Sequence, residues 1–287
     1  MSSPMKPLLP LAVGLALGAW LARRARPQPQ ESPNRQAQLQ QQIRQLKEGY
    51  EKQDRIRRDF TANVSHELKT PLTSISGYAE ILREGMVKSE DGGRVAGKSY
   101  EEAQRLIALV EDILNLSHLD EGAPGQERRC GIDLYALCAR ALTRLEEAAR
   151  QRKITLTLTG ACQRVDGAEK LLEEILFNLC DNAIKYNKEG GRVEVSVTRE
   201  PQWVVLTVQD TGIGIPSGET DRVFERFYRV DKSHSKETGG TGLGLSIVKH
   251  GAVIHNIQIR TDSEVGKGTA ITLSFSKGNS ASATEEQ

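Results

Sequence analysis

The sequence predicts an α+β protein with three parts: a short N-terminal membrane anchor, a helical hairpin that pairs with a second copy, and a layered α/β domain. Three observations predict this organisation. An uncharged apolar run occupies residues 8–22. Long stretches of helical apolar spacing follow it, and beyond residue 131 helical stretches alternate with short segments of period-two spacing.

The run from Leu8 to Ala22 is bounded by Lys6 and by an arginine cluster that begins at Arg23. It is shorter than the about 20 residues of a spanning helix, but the flanking cations can snorkel and Trp20 can lie at the interface. A cleaved signal peptide is the alternative. We favour a retained single-pass anchor in the lipid bilayer of the cell membrane, with the arginines holding the later domains in the cytoplasm.

Residues 23–55 are predicted to form a linker and a signalling helix. Pro, Gln and Arg dominate the start of this segment, and a heptad-like spacing then runs from Leu39 to Phe60. The spacing predicts a helix that pairs with a partner helix. Gln53 and Arg57 interrupt the apolar seam, so a solvated single helix is the alternative.

Residues 56–121 are predicted to form a dimerisation domain. Helical spacing continues to Leu82, a Gly/Ser-rich segment at 85–97 interrupts it, and a second amphipathic run includes Leu106 to Ser117. Two helices with a short connection form an antiparallel hairpin. One hairpin cannot bury two apolar faces, so we expect a homodimer in which two hairpins form a four-helix bundle.

Residues 128–277 are predicted to form the α/β domain, followed by a disordered tail at 278–287. The predicted helices are 133–151, 168–186 and 245–254, and the predicted strands are 154–158, 193–197, 204–208, 257–259 and 270–275. The strands are mostly compatible with antiparallel pairing. Basic and acidic residues number 39 and 38, so no basic field draws the chain to nucleic acid. The four cysteines lack metal-ligand spacing, and we expect buried free thiols without chemistry.

The segment S-H-E-L-K-T-P, from Ser65 to Pro71, places reactive groups on one helix. Glu67 can hydrogen bond to one imidazole nitrogen of His66 and leave the other as a nucleophile. Thr70 lies one turn further along the same face, where its hydroxyl can place a water. Pro71 removes a helix hydrogen bond beside His66 and gives catalytic partners room to approach.

Four later segments carry the residue types of a nucleotide site. N-L-C-D-N-A-I-K-Y-N puts Asn178 and Asn182 on one helical face, where amide oxygens can complete a magnesium shell. D-T-G-I-G-I-P starts at Asp210, an acceptor for an adenine amino group, with glycines that let the backbone approach the base. F-E-R-F-Y-R, at 224–229, offers aromatic anchors and arginines to a lid predicted at 215–239. G-G-T-G-L-G-L, at 239–245, opens a helix N-terminus towards phosphate.

Phe60 to Leu82 resembles the H-box of the dimerisation and phosphoacceptor domain of sensor histidine kinases. The four later segments resemble, in order, the N, first glycine, F and second glycine boxes of the ATP-binding domain of that family. The resemblance covers residues 55–277. It implies a Bergerat-type α/β sandwich that binds ATP and Mg²⁺, within a protein-histidine kinase of a two-component system.

The resemblance also implies residue roles. His66 would be phosphorylated, Glu67 would be its acid–base partner, and Thr70 would serve dephosphorylation of the response regulator. Asn182 would be the magnesium ligand. The other nucleotide-binding residues that it implies are Asn178, Lys185, Tyr186, Asp210, Gly212, Gly214, Arg226, Gly240, Thr241, Gly242, Leu243 and Gly244.

Two other functions stay open. ATPases of the same fold hydrolyse ATP with a Glu four residues before the magnesium Asn, and Asn178, which cannot abstract a proton, stands at that position. A non-catalytic dimeric scaffold is the second alternative, against which the intact Glu67, Asn182 and Asp210 argue. The segment 256–262 lacks a glycine pair that is frequent in the family, which puts the local turn geometry in doubt.

The expected partners follow from what surrounds these motifs. No acidic receiver domain follows residue 277, so we expect the phosphate to pass to an aspartate of a separate response regulator. About six residues precede the apolar run, against roughly 50 for a small sensor domain. We therefore expect the stimulus to enter through the membrane, through a membrane sensor partner, or through the helix at 36–60.

Overall fold

Two long helices begin the described part of the chain. The computed structural model describes residues 33–88, 90–120, 128–230 and 240–276. Helix α1 spans Pro33–Arg83 and helix α2 spans Gly92–Asp120. The predicted anchor at 8–22 and the predicted tail at 278–287 lie outside the described residues. No helix among the described residues is both long and apolar enough to cross a membrane.

The chain divides into two units, 1–61 and 62–287. In the first unit, the described residues from 33 onwards are all helical. Ile43, Leu46 and Tyr50, which belong to the predicted heptad seam, are exposed. An exposed apolar seam on a single chain is what a helix that pairs with a second helix would show.

In the second unit, the end of α1 and the whole of α2 form a helical hairpin. α1 ends where Gly85 takes a φ of +66°, and the N–H groups of Gly85 and Met86 donate to the carbonyls of Leu82 and Ile81. The connection, residues 84–91, is shorter than the predicted break at 85–97, because α2 already begins at Gly92. The predicted hairpin is therefore confirmed with a tighter turn.

The α/β domain contains seven strands and three helices among its described residues. Their bounds are β1 Arg128–Asp133, α3 Leu134–Gln151, β2 Thr155–Gly160, β3 Arg164–Ala168, α4 Glu169–Lys185, β4 Arg192–Arg199, β5 Trp203–Asp210, α5 Gly244–Ile254, β6 Gln258–Glu264 and β7 Gly268–Ser276. Five strands form one sheet in the order β2-β4-β5-β7-β6. β2 is parallel to β4, and the other neighbours are antiparallel.

Alternating burial shows how the helices and the sheet form one core. In β4, Val193, Val195 and Val197 are fully buried, whereas the residues between them are partly exposed. Eight residues of α4 are buried, on the helix that lies between α3 and α5. Burial of these side chains is the main stabilising term of the domain. The predicted α/β sandwich is confirmed.

Two short strands were not predicted. β1 and β3 pair as a separate antiparallel sheet, with an irregularity between Arg129 and Ile132. β1 has a glycine with a φ of +72°, Gly131, and β3 contains Gly167, so neither segment shows a clean apolar alternation. This small sheet leads into α4, because Ala168 is the last residue of β3 and the N-cap of that helix.

Candidate functional site

His66 lies on the solvent-facing side of α1. Its side chain is 80% exposed, and Nδ1 lies 3.6 Å from Oε1 of Glu67. That separation is longer than a hydrogen bond. The Thr70 hydroxyl donates to the carbonyl of His66 at 3.1 Å. α1 continues through Pro71, which is buried.

The C-terminal half of α4 and its C-cap residue together carry four of the predicted nucleotide-binding residues. Asn178 donates through Nδ2 to the carbonyl of Glu174 at 2.9 Å, and this bond fixes the direction of its amide oxygen. Lys185 forms an ion pair of 2.7 Å with Asp181. Tyr186 is the C-cap of the helix. Asn182, one turn after Asn178, is partly buried on the same face.

Asp210 ends β5 and begins the turn that contains Gly212 and Gly214. Its Oδ1 accepts from the N–H of Gly212 at 2.7 Å and from the N–H of Thr269 at 3.3 Å. Both bonds end on Oδ1, so Oδ2 is the oxygen that an amino group of a ligand would meet. Burial raises the pKa of the Asp210 carboxyl, and the two backbone hydrogen bonds partly offset this rise.

Both glycines of this turn are required by close contacts. A Cβ on Gly212 would lie 2.3 Å from the carbonyl oxygen of Tyr186. Gly214 has a φ of +71°, and a Cβ there would lie 2.1 Å from the carbonyl oxygen of Glu264. The turn is also tied to the end of α4, because the N–H of Ile213 donates to the carbonyl of Tyr186 at 3.0 Å.

The loop that leads into α5 meets the same face of α4. A Cβ on Gly240 would lie 2.9 Å from the hydroxyl of Tyr186, and one on Gly244 would lie 2.7 Å from Oδ1 of Asn178. Gly242 has a φ of +73°, and its carbonyl accepts from the N–H of Phe227 at 2.8 Å. The structure therefore brings the second glycine segment and the asparagine helix together.

Two further loop residues have different environments. Leu243 is fully buried and anchors the loop in the core. The Thr241 hydroxyl accepts from the N–H of Leu243 at 3.3 Å and donates to Asp112 of α2 at 2.7 Å. The N-terminus of α5, which starts at Gly244, points its N–H groups into this loop, an arrangement that favours phosphate.

The predicted lid is described only in part, because residues 231–239 lie outside the described residues. In the described part, Arg222–Phe224 form one 3₁₀ turn and Phe224 is buried. Arg226 is partly buried. The guanidinium of Arg222 lies 4.3 Å from the centre of the Tyr228 ring.

Sequence reasoning missed Thr269 and Gly268 in the β6–β7 connection. Gly268 has a φ of +121°, and a Cβ there would lie 2.0 Å from the carbonyl oxygen of Asp210. Thr269 is buried, and its hydroxyl is hydrogen bonded to Ser263 at 2.8 Å. The pattern G-K-G-T at 266–269 is a glycine pair followed by a hydroxyl residue, and it would have been the signal for a third glycine segment at the site.

Comparisons with known proteins agree with this geometry. The family model of the His Kinase A phospho-acceptor domain matches residues 56–122, and the model of the histidine kinase-, DNA gyrase B- and HSP90-like ATPases matches residues 167–279. The sensor-like histidine kinase SenX3 of Mycolicibacterium smegmatis is 41% identical over 220 residues, which are 76% of this chain and 57% of SenX3. The chain belongs to the sensor histidine kinases.

Two solved structures share the fold of this histidine kinase. AdeS of Acinetobacter baumannii matches with a TM-score of 0.61 and 26% identity, over 75% of this chain and 98% of the AdeS chain. ShkA, solved in complex with AMPPNP, matches with a TM-score of 0.54 and 26% identity, over 75% of this chain and 44% of that one. The kinase chain spans 37% of the length of WalK of Bacillus subtilis and 57% of the length of SenX3.

The residues predicted to bind a nucleotide lie on neighbouring segments of this histidine kinase. The part-buried carboxylate of Asp210 ends β5, and the N-terminus of α5 follows the second glycine segment, an arrangement that favours phosphate. Gly212 packs against the carbonyl oxygen of Tyr186 and Gly244 packs against the amide of Asn178, so both glycine segments lie close to α4. The amide oxygen of Asn178 points at the start of α5. Among the described residues, no group of three or more His, Cys, Asp or Glu side chains could hold a metal. Amide and phosphate oxygens are ligands that magnesium accepts, and Asn182 carries an amide oxygen.

Proposed function

We propose that this protein is a sensor histidine kinase that transfers the γ-phosphate of ATP to His66 and then to an aspartate of a separate response regulator. The observation that carries the proposal is the exposed His66 beside Glu67, on the same chain as a nucleotide site that has an asparagine, Asn178, where a hydrolytic base would stand. The amide of Asn178 already donates to a backbone carbonyl and cannot take a proton from water.

The residues of the helical hairpin and those of the α/β domain have different roles in the proposed reaction. Nε2 of neutral His66 attacks the γ-phosphorus as the bond to the ADP oxygen breaks, and Glu67 receives or holds the Nδ1 proton. Asp210 and Thr269 bind the adenine end. Lys185, the 240–244 loop and Arg226 bind the phosphates. When bound through Asn182, a magnesium ion would offset phosphate charge.

The partners and the location belong to the same proposal. An apolar stripe on α2, made of Ile107, Val110 and Leu114, is exposed on a single chain and would be covered in a homodimeric four-helix bundle. Thr70, one turn from His66, would assist dephosphorylation of the regulator. The apolar segment at 8–22 would hold the chain at the cell membrane, with the kinase domains in the cytoplasm.

The deciding experiment incubates the full chain with γ-labelled ATP and Mg²⁺, beside the variants His66→Gln and His118→Gln. His118 is the matched control, because it is also an exposed histidine of the hairpin. We expect a protein-bound label that survives base and is lost in acid, in the wild type and in His118→Gln but not in His66→Gln. Equal release of free phosphate by all three, without bound label, would assign the chain to the hydrolysing ATPases. Nucleotide binding without label or turnover would support the scaffold alternative.

A further inference from the structure

α2 carries a carboxylate that reaches the nucleotide loop. Oδ2 of Asp112 accepts from the hydroxyl of Thr241 at 2.7 Å, across 129 residues of sequence. Thr241 lies between Gly240 and Gly242, in the loop whose backbone leads into the N-terminus of α5. Asp112 therefore takes a hydrogen bond from a group that, in the proposed function, faces a nucleotide phosphate.

A second contact holds the same face of α2 against α4. Nδ2 of Asn115 donates to Oε1 of Glu174 at 2.8 Å, and Glu174 lies one turn before Asn178. Leu109 and Leu116, which share this face of α2, are buried. Two side-chain hydrogen bonds therefore join this face of α2 to the nucleotide-binding side of the domain.

Opposing effects act on the carboxyl of Asp112. Burial raises the pKa of its carboxyl, while the hydrogen bond from Thr241 and the charge of Lys185 lower it; the charges of Asp181 and Glu111 act in the raising direction. Lys185 is the cation that the proposed function assigns to phosphate. The Thr241 hydroxyl therefore binds Asp112 in the structure and would serve a nucleotide phosphate in the complex, whereas the ammonium group of Lys185 forms an ion pair with Asp181.

We propose that Asp112 occupies the place of a terminal nucleotide phosphate, and that a triphosphate must displace it from Thr241 in order to bind. The inference rests on the proposed nucleotide site. Two like charges close to one ammonium group repel each other, and the repulsion grows with the number of phosphate charges. Asp112 therefore weakens the binding of ATP more than that of ADP, and that of ADP more than that of AMP, and ATP loosens α2 from the loop.

The first test is a calorimetric titration of the full chain with ATP, ADP and AMP in the presence of Mg²⁺. The variant Asp112→Asn removes the charge and keeps an oxygen for Thr241, and Glu101→Gln removes an exposed charge elsewhere on α2. We expect Asp112→Asn to bind ATP about fivefold more tightly, ADP less so, and AMP as the wild type does. Glu101→Gln should match the wild type for all three.

Other results of this titration would overturn the inference or the function beneath it. Equal affinities of wild type and Asp112→Asn for ATP would remove Asp112 from the nucleotide site. An equal gain for all three nucleotides, reproduced by Asn115→Ala, would mean that loss of the α2 contact opens the site irrespective of charge. A wild-type chain that binds none of the nucleotides would instead contradict the proposed function.

The second test needs no variant. Amide hydrogen exchange of wild-type residues 108–117 is measured in the nucleotide-free chain, with saturating ADP and with saturating ATP analogue that is not hydrolysed. Displacement of Asp112 predicts faster exchange in this stretch with the triphosphate than with ADP. Unchanged or slower exchange with the triphosphate would contradict the displacement even if the affinities change.

Discussion

Asp210 is the residue at which nucleotide binding should depend most directly on protonation. Its pKa is raised by burial, so the carboxyl takes up a proton at a pH above that of an ordinary aspartate. Only the ionised form can accept from an adenine amino group through Oδ2 without a competing proton. We predict that the affinity for ATP falls as the pH is lowered through this raised pKa.

The variant Asp210→Asn should bind ATP about tenfold or more weakly at neutral pH, because an amide N–H would then face the adenine amino group. Its affinity should no longer vary with pH in the window in which that of the wild type falls. Asp262→Asn, a change of an exposed aspartate on β6, is the control and should behave as the wild type. Titrations at four pH values measure both effects, and a pH-independent wild-type affinity would contradict the assignment of Asp210.

Glu174 is a charged residue whose burial costs stability. Its pKa is raised first by burial and further by the charge of Asp112, although the hydrogen bond from Asn115 lowers it. A raised pKa in the folded state means that its stabilising contribution is complete at low pH and is lost as the pH rises through the folded-state value. Glu174→Gln keeps an acceptor for Asn115, and we predict a gain of up to about 1 kcal/mol in unfolding free energy at pH 7.

Urea unfolding of Glu174→Gln and of Glu173→Gln checks this prediction at pH 7 and near pH 5. Glu173, the preceding residue, lies 3.9 and 3.8 Å from Arg140 and Arg144, so its neutralisation should leave stability unchanged or slightly reduced. The gain from Glu174→Gln should shrink at the lower pH. A gain that grows as the pH falls would have the wrong sign for a group with a raised pKa.

The sequence predicted the helices and strands whose own residues show a clear periodic spacing. β4 and β5 alternate between buried and partly exposed positions, and α4 shows helical spacing, so their bounds were found to within a few residues. Among the described strands, β1 and β3 pair only with each other, and each contains a glycine in place of a regular alternation of apolar and polar residues. The parallel pairing of β2 with β4 also depends on the fold, because a strand sequence does not state the direction of its neighbour.

The turn after α5 shows how a departure from the family pattern is accommodated. The expectation of a doubtful geometry there rested on the lack of a glycine pair. Asn256 takes the left-handed conformation, with a φ of +53°, and its N–H donates to the carbonyl of Val253 at 3.2 Å. Asparagine tolerates this conformation better than most residues, so the helix ends in the usual way without glycine.

The glycine loop before α5 supports a prediction at the scale of one element. Gly242 has a φ of +73°, and a Cβ there would lie 2.9 Å from the Cα of Phe227. We predict that Gly242→Ala shifts the loop and weakens ATP binding about tenfold or more. The added Cβ would meet the backbone of Phe227, so either the loop or the segment around Phe227 would have to move. Gly218→Ala is the matched control, since a Cβ at Gly218 would meet nothing within 4 Å. Calorimetry measures the affinities, and circular dichroism should show that both variants remain folded.

At the scale of the whole molecule, the sequence predicted the motifs of the nucleotide site, but it did not predict that Asp112 contacts this site. Asn182, Asp210 and Gly242 belong to segments whose letters and order indicate a nucleotide site. Asp112 reaches Thr241 only because α2 docks on the domain, and nothing in the letters around residue 112 distinguishes it from a solvated acid. Contacts between elements that are distant in the sequence can be found only from the folded structure, whereas local motifs can be recognised in the sequence.

The exposed stripe of α2 leads to the last prediction, which concerns assembly. Ile107, Val110 and Leu114 recur at helical spacing and are exposed on a single chain, with Val110 at 41%. A second copy of the hairpin would remove them from water and provide the main driving force for dimerisation. A buried carboxylate in that interface would be strongly unfavourable, so Val110→Glu should shift the chain from dimer to monomer.

Val265→Glu makes the same change at a valine that is 63% exposed in the β6–β7 turn, and it should remain dimeric. Sedimentation velocity measures the outcome over a range of concentrations. Dimers that are equally stable in both variants would place the interface elsewhere, whereas monomeric Val110→Glu that still binds ATP would show that the nucleotide domain folds independently of the assembly.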